Sequence, residues 1–189
     1  MKKIIILFFL FSSTTVFSQT ISIGIKYFGL SIHPKGSINS ELMPLKFDEK
    51  GLLVLNTGFY ISIEYYIPNY EFISIKFIQG IYNDCIKQFA GFTHIGFRLN
   101  TPELNGFMFS GGIGPTLIFR KNWYDILGYN DSFSFFNGTP QDYWQWRFLW
   151  YGGELEFNQK ITADWALSAT FIPGFPDLLN ISIGAKYTK

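Results

Sequence analysis

The sequence predicts an all-β protein, an eight-stranded antiparallel up-and-down transmembrane β-barrel, on three observations. Strand-length segments alternate large apolar residues with small, polar or charged ones. In Leu179-Asn180-Ile181-Ser182-Ile183-Gly184-Ala185-Lys186-Tyr187 one face reads Leu, Ile, Ile, Ala, Tyr and the other Asn, Ser, Gly, Lys. A face with this much charge does not suit a soluble core, whereas a barrel with lipid outside and polar groups inside accommodates both faces. Aromatic residues make up 20% of the chain and charged residues 15%, an aromatic-rich and charge-poor balance for a soluble domain. Rings stabilise a bilayer interface, and a charge on the outer wall costs about 2–4 kcal/mol at mid-depth. The connections, finally, alternate short and long.

Residues 1–18 read as a signal peptide: Lys2 and Lys3 form a basic start, Ile4 to Phe11 an apolar stretch, and Val16-Phe17-Ser18 a site for cleavage before Gln19. The apolar stretch is too short for a spanning helix, and no later segment supplies the ~20 apolar residues such a helix needs. No cysteine follows the leader to carry a lipid anchor. Residues 19–189 then form one barrel domain.

The first strand is expected over Ile21 to His33, with a phase shift near Phe28-Gly29 that marks a bulge. A long connection, Pro34 to Lys50, leads to the second, Leu52 to Ile67. Pro68-Asn69-Tyr70 turns into the third, Glu71 to Gly80, and Ile81 to Lys87 links it to the fourth, Gln88 to Asn100. Thr101 to Gly106 turns into the fifth, Phe107 to Arg120, where Gly111-Gly112-Ile113-Gly114-Pro115 has neither P-loop nor dinucleotide spacing and reads as wall glycines with a bulge at Pro115. The longest loop, Lys121 to Gln145, precedes the sixth strand, Trp146 to Gln159. Ile161 to Asp164 turns into the seventh, Trp165 to Ile172, and Pro173 to Leu178 connects to the eighth, which ends at Tyr187.

Short turns therefore follow the even strands and longer loops the odd ones, which places both termini on the periplasmic side. Tyr65, Tyr66, Tyr70, Phe97, Phe107, Phe157, Trp165 and Tyr187 gather at the short-turn end. Trp123, Tyr124, Trp144 and Trp146 gather at the loop end. With its strand alternation, loop asymmetry and near-terminal Tyr187, the mature chain resembles the small outer-membrane barrels of the OmpA and OmpX kind; Thr188 and Lys189 depart from the usual final aromatic. The resemblance implies residence in the outer membrane, with outer-membrane lipid as partner. It does not imply one function, because such barrels include adhesins, structural proteins and lipid-modifying enzymes.

Composition removes several classes of function. A formal net charge of +1 gives no long-range attraction for nucleic acid. Cys85 is the only cysteine, which rules out an internal disulfide and a Cys-based metal cluster. No metal site and no cofactor is expected. The oligomeric state is not legible.

Alternation assigns Lys26, Glu64, Lys76, His94, Arg98, Glu154, Glu156 and Lys186 to the inner face. An eight-stranded barrel is filled by its side chains, so these groups are expected to pair in a polar network and not to line a pore. Glu64 and Lys76 are expected to pair diagonally across the Pro68 hairpin. The same face offers the sharpest catalytic candidates, His94, Ser110 and Glu154, as base, nucleophile and orienting carboxylate. Pairing across the Thr101 to Gly106 turn sets His94 nearly opposite Gly112 and leaves Ser110 on a diagonal, which favours the structural reading. Outer-membrane lipid A deacylases carry His-x-Ser-Asn on a strand, and neither His33-Pro34-Lys35 nor His94-Ile95-Gly96 matches it. The phase around Gly152-Gly153 stays open, because Trp146, Phe148 and Trp150 share parity with Glu154 and Glu156.

In the longest loop, Trp123, Tyr124, Tyr129, Phe133, Phe135, Phe136, Tyr143 and Trp144 are interspersed with acidic and amide residues. Aromatic faces beside carboxylates can bind an extracellular ligand or envelope component, with Trp123, Tyr124, Tyr129, Tyr143 and Trp144 as candidates. They can equally fold over the barrel mouth or rest in the interface, the reading favoured here. The sequence thus favours a non-enzymatic barrel with a structural or surface-interaction role. Its alternatives are a lipid- or glycan-modifying enzyme and a soluble periplasmic lipocalin-like barrel whose charged face meets water.

Overall fold

The computed structural model describes residues 20–132, 135–174 and 178–189. The expected signal peptide at 1–18 lies outside them. Among the described residues nine strands run β1 (Ile21–Ile32), β2 (Leu53–Leu55), β3 (Thr57–Ile67), β4 (Tyr70–Asn83), β5 (Phe89–Asn100), β6 (Phe107–Lys121), β7 (Trp144–Lys160), β8 (Trp165–Gly174) and β9 (Leu178–Thr188). From β3 to β9 each strand pairs antiparallel with the next. β1 pairs with β3 on one side and with β9 on the other. Eight strands therefore close into a barrel, and β2 is a short extension paired with the outer end of β1. Closure of β1 on β9 joins the two ends of the eight-stranded sheet, the arrangement by which strands cross a bilayer.

The second expected strand is interrupted. Asn56 turns its side chain inward, donating to the Ser31 hydroxyl at 2.5 Å, and its backbone N–H donates to the Gly29 carbonyl at 2.7 Å. Register slips between Phe28 and Leu30, where the bulge was expected. A second slip lies between Gly114 and Thr116, at Pro115, which lacks the N–H a ladder needs. Opposite it, Trp150 and Tyr151 both face outward. That shift resolves the phase question: Trp146, Phe148 and Trp150 point out, whereas Glu154 and Glu156, of the same parity, point in.

The connections differ from expectation in one respect. Two outer loops are long, 33–52 and 122–143, but the link between β4 and β5 shrinks to residues 84–88 because β4 runs on to Asn83. β8 runs to Gly174 and β9 begins at Leu178. At the other end, turns of two to six residues join β3 to β4, β5 to β6 and β7 to β8.

Outside the barrel, Ile25, Ile63, Phe97, Ile113 and Ile183 are exposed, with Phe97 65% and Ile183 64% accessible. Inside, Lys26, Glu64, Lys76, Arg98, Glu154, Glu156 and Lys186 are each no more than 4% accessible. This orientation is the reverse of what the soluble lipocalin-like alternative needs. Trp165 stacks on Tyr187 at 5.1 Å near the short turns, and Trp144 packs on Phe89 and Phe119 near the loops. Two expected girdle residues, Tyr66 and Trp123, are instead buried. Tyr66 shares parity with Glu64 and so faces the axis, while Trp123 folds over the outer mouth.

Candidate functional site

The inward polar residues meet in one network centred on Glu156. Its Oε2 accepts Lys26 Nζ at 2.5 Å and Lys76 Nζ at 2.6 Å. Its Oε1 faces Arg98 Nη2 at 3.3 Å and Lys186 Nζ at 3.4 Å, and accepts the Asn158 amide at 3.0 Å. Arg98 also reaches Glu64 through Nη1 at 2.9 Å and Glu154 through Nε at 3.1 Å, so one guanidinium spans all three carboxylates. Lys186 Nζ bonds Glu64 at 2.5 Å and the Tyr66 hydroxyl at 3.0 Å. A planar fork of five donors suits this shared position as a single ammonium would not.

The wall makes room for these long side chains. Gly112 lies opposite Arg98, and a Cβ there would meet Arg98 Cγ at 2.7 Å. Gly184, opposite Lys26, would press a Cβ into the Lys26 backbone. Small residues on the wall thus match large ones in the lumen.

Glu64 and Lys76 are direct cross-strand partners and not diagonal ones, yet they do not form the expected pair. Lys76 crosses the lumen to Glu154 and Glu156, while Glu64 takes Arg98 and Lys186 together with the Ser74 hydroxyl at 2.5 Å. Attraction from the opposite wall outweighs the neighbour in register, because low-dielectric burial strengthens every ion pair available.

The catalytic candidates are not brought together. His94 lies opposite Thr116, not Gly112, with Nδ1 2.6 Å from the Thr116 hydroxyl. Ser110 lies opposite Asn100 and Glu156. Six residues of β6 separate Thr116 from Ser110, about 20 Å at ~3.3 Å per residue. His94 and Glu154 line a cavity of about 20 Å³, room for one water and not for a substrate. Among the described residues no cluster of three or more His, Cys, Asp or Glu side chains could hold a metal.

The aromatic candidates divide between lid and wall. Trp123 is buried with Met43, Val54, Cys85 and Ile86 beneath the two long loops. Its indole N–H donates to Asp84 at 2.7 Å, and the Arg120 guanidinium lies 3.5 Å from its ring, with Phe136 at 4.1 Å from the same guanidinium. Tyr129 packs edge-on against Trp123 at 5.6 Å and against Tyr124 at 5.3 Å. Burial holds the Asp84 carboxyl above the usual aspartate range although three N–H groups donate to it, and burial likewise pushes the Cys85 thiol up, away from the reactive thiolate. Tyr143 and Trp144 sit on the outer surface, edge-on to each other at 5.2 Å. Phe133 lies outside the described residues. The lid is tied together by Asn39, whose amide donates to the Asn130 carbonyl at 2.9 Å and whose Oδ1 accepts the Asn130 N–H at 2.8 Å.

Sequence reasoning missed the part played by Arg120, Asp84 and Asn39 in this lid. Arg120 carries the inward parity of β6, a signal that could have found it. The Asn39–Asn130 link joins loops distant in sequence and leaves no periodic trace.

No protein-family model matches the chain, and no curated protein matches it. Solved structures do. Neisserial surface protein A is 10% identical with a TM-score of 0.50, over 90% of this chain and 95% of that one. Ail, the attachment invasion locus protein of Yersinia pestis, solved with the heparin analogue sucrose octasulfate, is 10% identical with a TM-score of 0.51, over 90% and 97%. The N-terminal β-barrel domain of Pseudomonas aeruginosa OprF is 11% identical with a TM-score of 0.48, over 89% and 97%. The closed eight-strand topology and the near-complete coverage of the first two structures in both directions agree: this chain has the fold of the small eight-stranded outer-membrane β-barrels.

Proposed function

We propose that this protein is exported by its N-terminal leader, resides in the outer membrane, and acts without catalysis as a rigid scaffold that presents its two long loops to an extracellular ligand or envelope component. The observation that carries this reading is the pairing of an apolar exposed wall with a lumen filled by mutually neutralising charges. Such a barrel has no continuous path for solute and no access for a substrate to His94 or Ser110. On the extracellular side the surface available for recognition is the lid. Its two loops are locked by the Asn39–Asn130 link and by Trp123, so it offers a pre-organised surface, which lowers the entropy cost of binding.

That surface exposes large apolar side chains at its tips: Ile38, Phe47 and Leu127, the last 96% accessible. Apolar groups displayed on an ordered outer loop mark contact positions. Replacing the three together by serine is expected to leave the barrel folded, as read by heat-modifiable gel migration. Adhesion or aggregation of cells displaying the protein is expected to fall at least tenfold. Unchanged adhesion in the triple variant overturns the surface-interaction role.

A further inference from the structure

At the short-turn mouth a cavity of about 540 Å³ lies beneath the ion network, walled by Tyr66, Phe72 and Met108 and floored by Asn100, Asn158 and Lys186. The volume lies within the range of small-molecule sites, which combine apolar walls with a few converging polar groups. Its floor has unused hydrogen-bonding capacity. Asn100 and Asn158 are 7% and 3% accessible, and in each the side-chain Oδ1 has no hydrogen-bond donor. Their amide nitrogens are engaged, Asn100 with the Ser74 hydroxyl at 3.1 Å and Asn158 with Glu156 at 3.0 Å. Buried amide oxygens are rarely left without donors, and the broad torsion about Cβ–Cγ lets each turn toward the cavity.

We propose that this vestibule binds a neutral polyhydroxyl ligand of about one or two sugar rings, a site on the opposite side of the membrane from the loop surface and independent of it. The charges select for neutrality. An ammonium group is opposed by Lys186 on the floor and by the network behind it, where Lys26, Lys76, Arg98 and Lys186 face only Glu64, Glu154 and Glu156. An anion is opposed by the two amide oxygens and by the rim, where Glu103 and Asp164 stand against Lys160. Sugar hydroxyls supply the donors that both oxygens lack. The Tyr66 and Phe72 rings offer apolar faces to sugar C–H groups.

The test uses the mature chain in phosphocholine nanodiscs, free of sugar detergents, titrated with N,N′-diacetylchitobiose and, separately, with hexylammonium and hexyl sulfate. Side-chain amide signals of Asn100 and Asn158 and the Met108 methyl signal are followed by NMR. The neutral disaccharide is expected to shift these signals saturably, with affinity at least tenfold weaker in Asn100→Ala/Asn158→Ala and binding lost in Met108→Trp, which fills the cavity. Heat-modifiable migration confirms that each variant folds, and the wild-type titration decides alone if one does not. A non-saturable shift, a shift no larger than that from either charged probe, or binding that survives Met108→Trp overturns the proposal.

Discussion

Glu156→Gln is expected to lower the unfolding free energy by about 3–5 kcal/mol, the range for removing one partner of a buried ionic cluster. The carboxylate neutralises four cations within 3.4 Å, Lys26, Lys76, Arg98 and Lys186. An amide of the same size keeps the packing but carries no charge, so the four cations then face only Glu64 and Glu154. The loss falls on the folded state, because the unfolded chain solvates its lysines. Urea unfolding in lipid vesicles, followed by tryptophan fluorescence, gives the value. Glu103→Gln serves as the control: its 3.3 Å contact with Lys160 is about half exposed, where an ion pair contributes about 0–1 kcal/mol. Adding Lys26→Met to Glu156→Gln is expected to recover part of the loss, since neighbours in one network do not add independently. Equal stability of Glu156→Gln and Glu103→Gln would show that the lumen charges are hydrated and not mutually neutralised.

On the opposite face, Ile183→Arg is expected to cost about 2–4 kcal/mol or to prevent insertion, the penalty for arginine on the lipid side at mid-depth. Ile183 sits at the centre of β9, between Tyr27 of β1 and Ala169 of β8, with its side chain 64% accessible. In a water-soluble protein the same substitution at so exposed a position would change stability by less than about 0.5 kcal/mol. Ile161→Arg provides the comparison, because Ile161 is 61% accessible but lies in the turn between β7 and β8. Similar costs at both positions would contradict a hydrocarbon surround. The two substitutions separate depth from exposure, which no single variant can do.

Much of this barrel was legible because a strand repeats every two residues, so parity alone sorted Lys26, Lys76, Arg98 and Lys186 from Ile25, Phe97 and Ile183. Bulges were legible where the alternation changed phase, near Phe28-Gly29, and where a residue type announced one, at Pro115. Register was not. The turn between β5 and β6 closes at Leu104 and Phe107 around Asn105 and Gly106, both with positive φ, 53° and 78°. That two-residue Asn-Gly turn moves the hairpin axis and sets Arg98, not His94, opposite Gly112. Partners across the lumen were illegible for another reason: alternation says which side chains enter, and only closure of β1 on β9 says which walls face each other. Glu64 bonds Lys186 across β1, where Glu64 lies opposite Ser22 on one side and Lys186 opposite Gly24 on the other. The lid was half visible. Its aromatic density favoured rings folded over the mouth or resting in the interface, but the loop sequence holds no period to name Asp84 and Arg120 as partners of Trp123.

The orientation of the wall is tested most directly by nuclear Overhauser contacts between lipid acyl-chain protons and isoleucine methyl groups of the protein in nanodiscs. Ile25, Ile63, Ile113 and Ile183 are predicted to show acyl-chain contacts, and Ile78, an isoleucine of the inner face with 1% accessibility, to show none. Acyl contacts at Ile78 with silence at Ile113 and Ile183 would contradict the account.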